Sequence, residues 1–407
     1  MQDEKRSTPG FYSGFFHLFS GLAVVQLLNF GFSLLLPRFY SPLDFALFGV
    51  FTSIVFILLE LVALKLDVTI FFPKEDEESL EIVHAVFMVA LGICLFILLT
   101  SVFMVFIYDR IYLLLPLSVL VYGLALPLNA WYSRKKRYRV INTARIIQAF
   151  AIPLLSLAFI IIFNLGYGLI LGFIVGQSAG LLYLFYGFKD FNSRLLTIAI
   201  VRKYLMRYRR FPTYGVFSAL VNSLAQNSLV LLIRFFFGTV AAGHFTLASR
   251  ILRAPAGMYQ SSVAQIFLAD ARQKSGRALY LYMKKMLWFG LLLGLVPVVV
   301  VLISGPSLFV WVFGEEWSSA GYMAQYLVLW IFSTAVISPV ALLLDIRQQL
   351  RFEAGYNVFL LLFRVSAILA GVYIGDVYLG LLFVCIVSIL MSVFLMWKVL
   401  EMAKKGC

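Results

Sequence analysis

The stretch VHAVFMVALGICLFILLTSVFMVFI, Val83–Ile107, holds 25 residues and no Asp, Glu, Lys or Arg. As a helix rising about 1.5 Å per residue it is longer than the roughly 30 Å of hydrocarbon in a bilayer. Lipid offers no partner to free backbone N–H and C=O groups, so a run of this kind closes its hydrogen bonds on itself as an α-helix. Comparable apolar blocks lie at 14–37, 44–64, 111–131, 145–163, 166–187, 213–237, 240–267, 285–304, 319–344, 354–374 and 377–397. The expectation is an all-α polytopic membrane protein with about twelve transmembrane helices in two six-helix bundles. Apolar residues make up 62% of the 407 and charged residues 13%, which excludes a water-soluble fold. The blocks leave no room for a soluble domain.

The basic residues give the orientation. Lys5 and Arg6 precede the first block, and Lys65 and Lys74 follow the second. Arg134 to Arg145, Lys189 to Arg210, Arg272 to Lys285, Arg347 with Arg351, and Lys398 to Lys405 follow the fourth, sixth, eighth, tenth and twelfth. Twenty-seven of the 33 Lys and Arg thus fall on one side, the cytoplasmic side by the positive-inside rule. Both termini belong there, in a bacterial inner membrane. The net charge of +14 is then an orientation signal and calls for no nucleic acid. The N-terminal run, too long for a signal-peptide core and without a small-residue cleavage site, reads as an uncleaved first helix.

The organisation expected is an N-terminal six-helix bundle over 1–187, a basic cytoplasmic linker over 188–211 and a C-terminal six-helix bundle over 212–407. The linker mixes Leu195, Leu196, Ile198, Val201 and Leu205 with seven basic residues, the pattern of an interfacial helix on an anionic leaflet; a solvated loop fits equally. Two segments repeat weakly across the halves. Arg38 in LLLPRFYSPLDFALFGVFTSI (Leu34–Ile54) falls on Arg234 in LVLLIRFFFGTVAAGHFTLAS (Leu229–Ser249), and Gly49 falls on Gly243 after a two-residue gap. Repeats of six helices are parallel, and the cleft between them is where such transporters hold substrate.

No catalytic residue, metal site or cofactor is expected. Cys94, Cys385 and Cys407 form no CxxC, and His17, His84 and His244 are far apart, as packing or interfacial residues are. The informative positions are charges at membrane depth, which are costly and face a cavity or a partner. Arg250 and Arg253, three apart on the eighth block, share a face and suit a bidentate grip on pyrophosphate; pairing or snorkelling is the competing reading. Arg364 is a single buried charge. Glu60 sits at the depth of Arg253 in the repeat register, either as an ion pair across the cleft or, unpartnered, as a proton carrier. Ser218, Asn222, Ser223, Gln226, Asn227 and Ser228 on the seventh block line a polar cavity or bond between helices. Arg250, Arg253, Arg364, Asn222 and Gln226 are the expected substrate-binding residues.

The chain resembles the polysaccharide-transporter branch of the multidrug/oligosaccharidyl-lipid/polysaccharide exporter superfamily, the Wzx-like flippases. The segments that carry the resemblance are LDVTIFFPKEDEES (Leu66–Ser79), WYSRKKRYRVINTARIIQA (Trp131–Ala149), YRRFPTYGVFSALVNSLAQNSLVLL (Tyr208–Leu232), FGTVAAGHFTLASRILRAPAGMYQSSVAQIF (Phe237–Phe267) and SPVALLLDIRQQ (Ser338–Gln349). The family's Arg-aromatic-acidic start is matched only approximately, by Lys65, Leu66 and Asp67. The resemblance implies a cationic cavity, with Arg250 and Arg253 in the matching segment. It implies translocation of an undecaprenyl-pyrophosphate-linked oligosaccharide, such as an O-antigen, capsule or exopolysaccharide unit, by alternating access. Its partners would be the lipid-linked oligosaccharide, membrane lipid, and the polymerase and glycosyltransferases of the pathway. Two other classes compete: a cation-coupled drug exporter of the superfamily, which fits intramembrane arginines poorly, and a membrane glycan polymerase, an enzyme expected to carry a large outward loop. A structural scaffold would not need these charges at depth.

Overall fold

A computed structural model describes residues 26, 28, 30–104, 110–271, 274–347 and 349–405. His17, Cys407 and more than half of the expected first span lie outside them. Among the described residues the secondary structure is helical: α1 Pro42–Val62, α2 Asp76–Met104, α3 Leu115–Arg134, α4 Tyr138–Phe163, α5 Gly168–Tyr186, α6 Ile198–Arg207, α7 Val216–Phe237, α8 Thr239–Ala271, α9 Gly276–Phe313, α10 Ser318–Ala341, α11 Leu350–Ile374 and α12 Val377–Lys405. Ten segments among the described residues are long and apolar enough to cross a membrane. The eighth expected block is the 33-residue α8, which carries Arg250 and Arg253. The chain is an all-α polytopic membrane protein.

The helices group into two compact units, one containing Leu58–Val216 and the other Phe30–Ile57 with Phe217 onward. The expected linker ends close to this boundary, while residues 30–57 group with the C-terminal part of the chain.

The first unit packs α2, α3, α4 and α5 around Ile82, Val86, Leu128, Trp131, Tyr132, Ile141 and Leu184. Gly172, Gly176 and Gly180 recur every fourth residue on α5, and a Cβ at each would run into Ser156, Ile152 and Gln148 of α4. Small residues at this spacing let two backbones approach, which gives packing in a solvent where apolar burial alone gains little. The expected linker contributes α6, begun by Thr197, whose hydroxyl accepts from the Ile200 N–H. It docks on α2 through the fully buried Tyr204 and through Lys203–Glu81 (2.7 Å) and Arg207–Glu78 pairs, leaving Ile198 and Met206 exposed.

The second unit has its core between α8, α9, α10 and α12, around Phe267, Leu279, Met283, Val336, Ile337, Val340 and Val399. The two repeat segments meet inside it. Gly243 leaves room for the Pro42 carbonyl and Gly49 for the Thr246 side chain, so each glycine receives the other segment. Trp317 fastens the same end, with Nε1 donating to the Pro37 carbonyl at 3.0 Å and its ring edge-on to Phe45. Pro127, Pro153, Pro255, Pro297 and Pro339 lie inside helices as expected for bent spans, whereas Pro116 opens α3, where a missing N–H costs nothing.

Candidate binding cavity

The second unit encloses a cavity of about 550 Å³ between α7, α8, α10, α11 and α12. Its polar lining comes from helical periodicity. Asn222 and Gln226 are one turn apart on α7, Arg253 and Gln260 two turns apart on α8, and Glu353, Asn357 and Arg364 form a stripe along α11. Trp330, Thr334 and Ser338 complete it from α10, and Ser392 from α12.

Four expected site residues are thus brought together, but they are not equivalent. Arg364 is 4% exposed. Its Nε donates to Ser388 Oγ at 3.0 Å, its Nη1 to the Ala225 carbonyl at 2.8 Å, and its guanidinium lies 4.4 Å from the Trp330 ring centroid. A buried guanidinium needs such partners, since removing it from water costs far more than any single contact returns. Arg364 therefore ties α11 to α7, α12 and α10 while showing one face to the cavity. Arg253 lies over the same indole at 5.6 Å, opens into the cavity, and has no hydrogen bond or ion pair among the described residues. The two cations are close enough to repel one another. That repulsion is relieved by an anion, for which Arg253 offers free N–H donors.

Asn222 and Gln226 also point their amides into open space. Their neighbours are committed elsewhere: Asn227 donates to the Ser223 carbonyl at 2.9 Å and Ser223 Oγ to the Phe56 carbonyl at 3.2 Å. The polar run on the seventh block thus divides between cavity and helix packing. Arg250 is not a lining residue. Its guanidinium rests 5.2 Å from the Phe48 ring centroid, one turn along α8 from Arg253. Glu60 is not one either, and forms a 2.7 Å ion pair with Lys65 in the first unit.

Gln260, Trp330, Glu353, Tyr356, Asn357 and Ser392 were not singled out from the sequence. The spacing of Glu353, Tyr356, Asn357 and Arg364 on one face of α11 was the available signal. The remaining histidines are packing residues. Buried His84 receives the Asn192 N–H at Nε2 (3.0 Å) and sets Nδ1 2.8 Å from the Leu80 carbonyl, and His244 reaches the Glu316 carbonyl at 3.0 Å. No cluster of metal-binding side chains occurs among the described residues.

The family model of polysaccharide biosynthesis proteins matches residues 11–268. No curated protein sequence matches the chain. Among solved structures, the lipid II flippase MurJ in an inward closed conformation matches with a TM-score of 0.71 and 15% identity, over 94% of this chain and 87% of that one. An inward-facing multidrug resistance MATE family transporter of the MOP superfamily matches with a TM-score of 0.66 and 15% identity, over 94% and 95%. An outward-facing MATE transporter matches with 0.57 and 12%, over 95% and 94%. At these identities the likeness is one of fold. With more than half of its length matched by the family model, the chain belongs to the polysaccharide biosynthesis protein family and has the fold of the MOP-superfamily transporters.

Proposed function

We propose that this protein is a flippase that moves a polyprenyl-pyrophosphate-linked oligosaccharide across the bacterial inner membrane by alternating access. The observation that carries the reading is Arg253, a cavity arginine with uncommitted donors beside a second guanidinium, Arg364, and two free amides. Two adjacent phosphates match two cations, and Asn222 and Gln226 supply the mixed donors and acceptors that sugar hydroxyls use. The apolar tail needs no protein cavity, since the bilayer solvates it. The charge distribution supports cytoplasmic termini, on the side where glycosyltransferases of the pathway would make the substrate; a polymerase would receive it on the other side. No step breaks or forms a covalent bond, so the chain is not an enzyme on this reading.

One cavity carboxylate, Glu353, favours the rival drug exporter. Two arginines against one carboxylate leave the lining cationic, which disfavours a cationic drug. Reconstitution decides between them. Purified protein in liposomes is expected to expose a labelled polyprenyl-pyrophosphate sugar to an external probe faster than empty liposomes do, and to leave cationic dyes untransported. Dye transport without flipping would reverse the assignment.

A further inference from the structure

The turn between α1 and α2 combines three features that the transport cavity does not use. Leu64 and Lys65, neither of them glycine, have φ of +45° and +56°, a left-handed pair that side chains disfavour. Lys65 Nζ is held 2.7 Å from Glu60, near the end of α1. Two residues on, Asp67 buries its Oδ1 with no hydrogen-bond partner among the described residues. An ionised carboxylate left with a bare, dry oxygen is costly, and a proton on that oxygen removes the cost.

We infer that Asp67 is a proton-binding site of this transporter. The inference rests on the transport reading above and assigns its coupling ion. Burial pushes the Asp67 carboxyl up from the ordinary carboxylate range, with Glu60 adding to the rise and Lys65 opposing it. The charged groups that act on Asp67 are therefore Lys65 and Glu60. The helices α2 and α3, which also pack on this turn, keep Asp76 with Arg134 and Lys135, Glu81 with Lys203, and Glu78 with Arg207. Arg134 further donates to the Ile70 carbonyl at the far end of the turn. A single buried oxygen offers no coordination sphere to a metal ion. It suffices for a proton.

The two states follow from charge balance. With Asp67 neutral, Lys65 belongs wholly to Glu60, the arrangement observed. With Asp67 ionised, one ammonium faces two carboxylates and its hold on Glu60 weakens. The Lys65 stem also lies 3.7 Å from where a Cβ on Gly215 would stand, and Gly215 immediately precedes α7, the helix of Asn222 and Gln226. Proton uptake at Asp67 thus removes a negative charge that acts on Lys65, the side chain packed beside Gly215.

Infrared difference spectroscopy of the whole protein in nanodiscs, titrated from about pH 8 to about pH 4, tests this without any substrate. A protonated-carboxyl band is expected to appear above the ordinary carboxylate range, to vanish in Asp67→Asn, to persist at a lower midpoint in Glu60→Gln and at a higher one in Lys65→Met. A band that survives Asp67→Asn, or disappears in Glu60→Gln, overturns the assignment. In liposomes the ratio of flipping rates with and without a pH gradient is expected to exceed one for the wild type and to fall to one in Asp67→Asn. An unchanged ratio in that variant also overturns it. If wild-type protein flips nothing, the function reading fails while the infrared titration still decides the proton site.

Discussion

In the first unit five basic residues bordering the spans have acidic partners: Arg134 and Lys135 share Asp76, Lys203 meets Glu81, Arg207 meets Glu78 and Lys65 meets Glu60. In the second unit Arg250, Arg253 and Arg364 have none among the described residues. Arg364 is held by a carbonyl, a hydroxyl and an indole, Arg253 by the indole alone and Arg250 by a phenyl ring. Paired charges fasten helices at the edge of the bilayer. Unpaired charge at depth is a standing cost, kept where an incoming anion offsets it. On the proposed function, the difference points to the second unit's cavity, rather than the more heavily charged first unit, as the place where substrate would be met.

Removing the uncommitted cation should have the largest effect. Arg253→Ala is expected to lower flipping of a pyrophosphate-linked sugar by about tenfold to hundredfold, the worth of a charged hydrogen bond of about 1.5–3 kcal/mol. Its thermal unfolding should not change, and Arg250→Ala, outside the cavity, should lose far less activity. Equal losses in the two variants would break the distinction between them. Arg364→Lys should show the reverse pattern. A lysine cannot reproduce the donors to Ser388 and Ala225, so unfolding should be easier by about 1–3 kcal/mol, read as a lower Tm in detergent.

The fold was legible because each level of the sequence agreed. Val83–Ile107 fixes a span by length alone, and the alternation of basic loops fixes the register of the spans around it. Arg253, Arg364, Asn222 and Gln226 were also legible, as polar residues at depth in apolar helices. Arg250 was not separable from Arg253, since a spacing of three puts them on one face and only the packing of Phe48 against α8 draws one away. Glu60 was placed by depth opposite Arg253, whereas the strained turn at Leu64 and Lys65 returns an ammonium to it. Trp330 was hidden for another reason: a tryptophan in a membrane helix carries no mark of the cations stacked on it. The grouping of residues 30–57 with the C-terminal helices depends on Gly49 and Gly243. Their correspondence was visible, but their mutual contact was not.

Two smaller effects sharpen the contrast from the first unit. Gly176→Leu drives a side chain into the α4 backbone at Ile152, where a Cβ already comes within 2.6 Å of the amide nitrogen. Overpacking of this kind costs about 1–3 kcal/mol, and a drop in Tm without altered substrate preference in the surviving protein is expected. Lys203→Ala removes a pair whose lysine side chain is 51% exposed, and should shift stability by less than about 1 kcal/mol in a denaturation assay. A large loss of flipping in Lys203→Ala would move the substrate path toward the first unit.

On the proposed function, the cavity of Arg253 and Arg364 recognises a diphosphate. The most direct test is the affinity of the detergent-solubilised protein for a short-chain polyprenyl diphosphate and for the matching monophosphate, measured for the wild type and for Arg253→Ala. A clear preference for the diphosphate is expected in the wild type and is expected to disappear in Arg253→Ala. Equal affinity for the two lipids in the wild type, or a preference that survives the substitution, would contradict it.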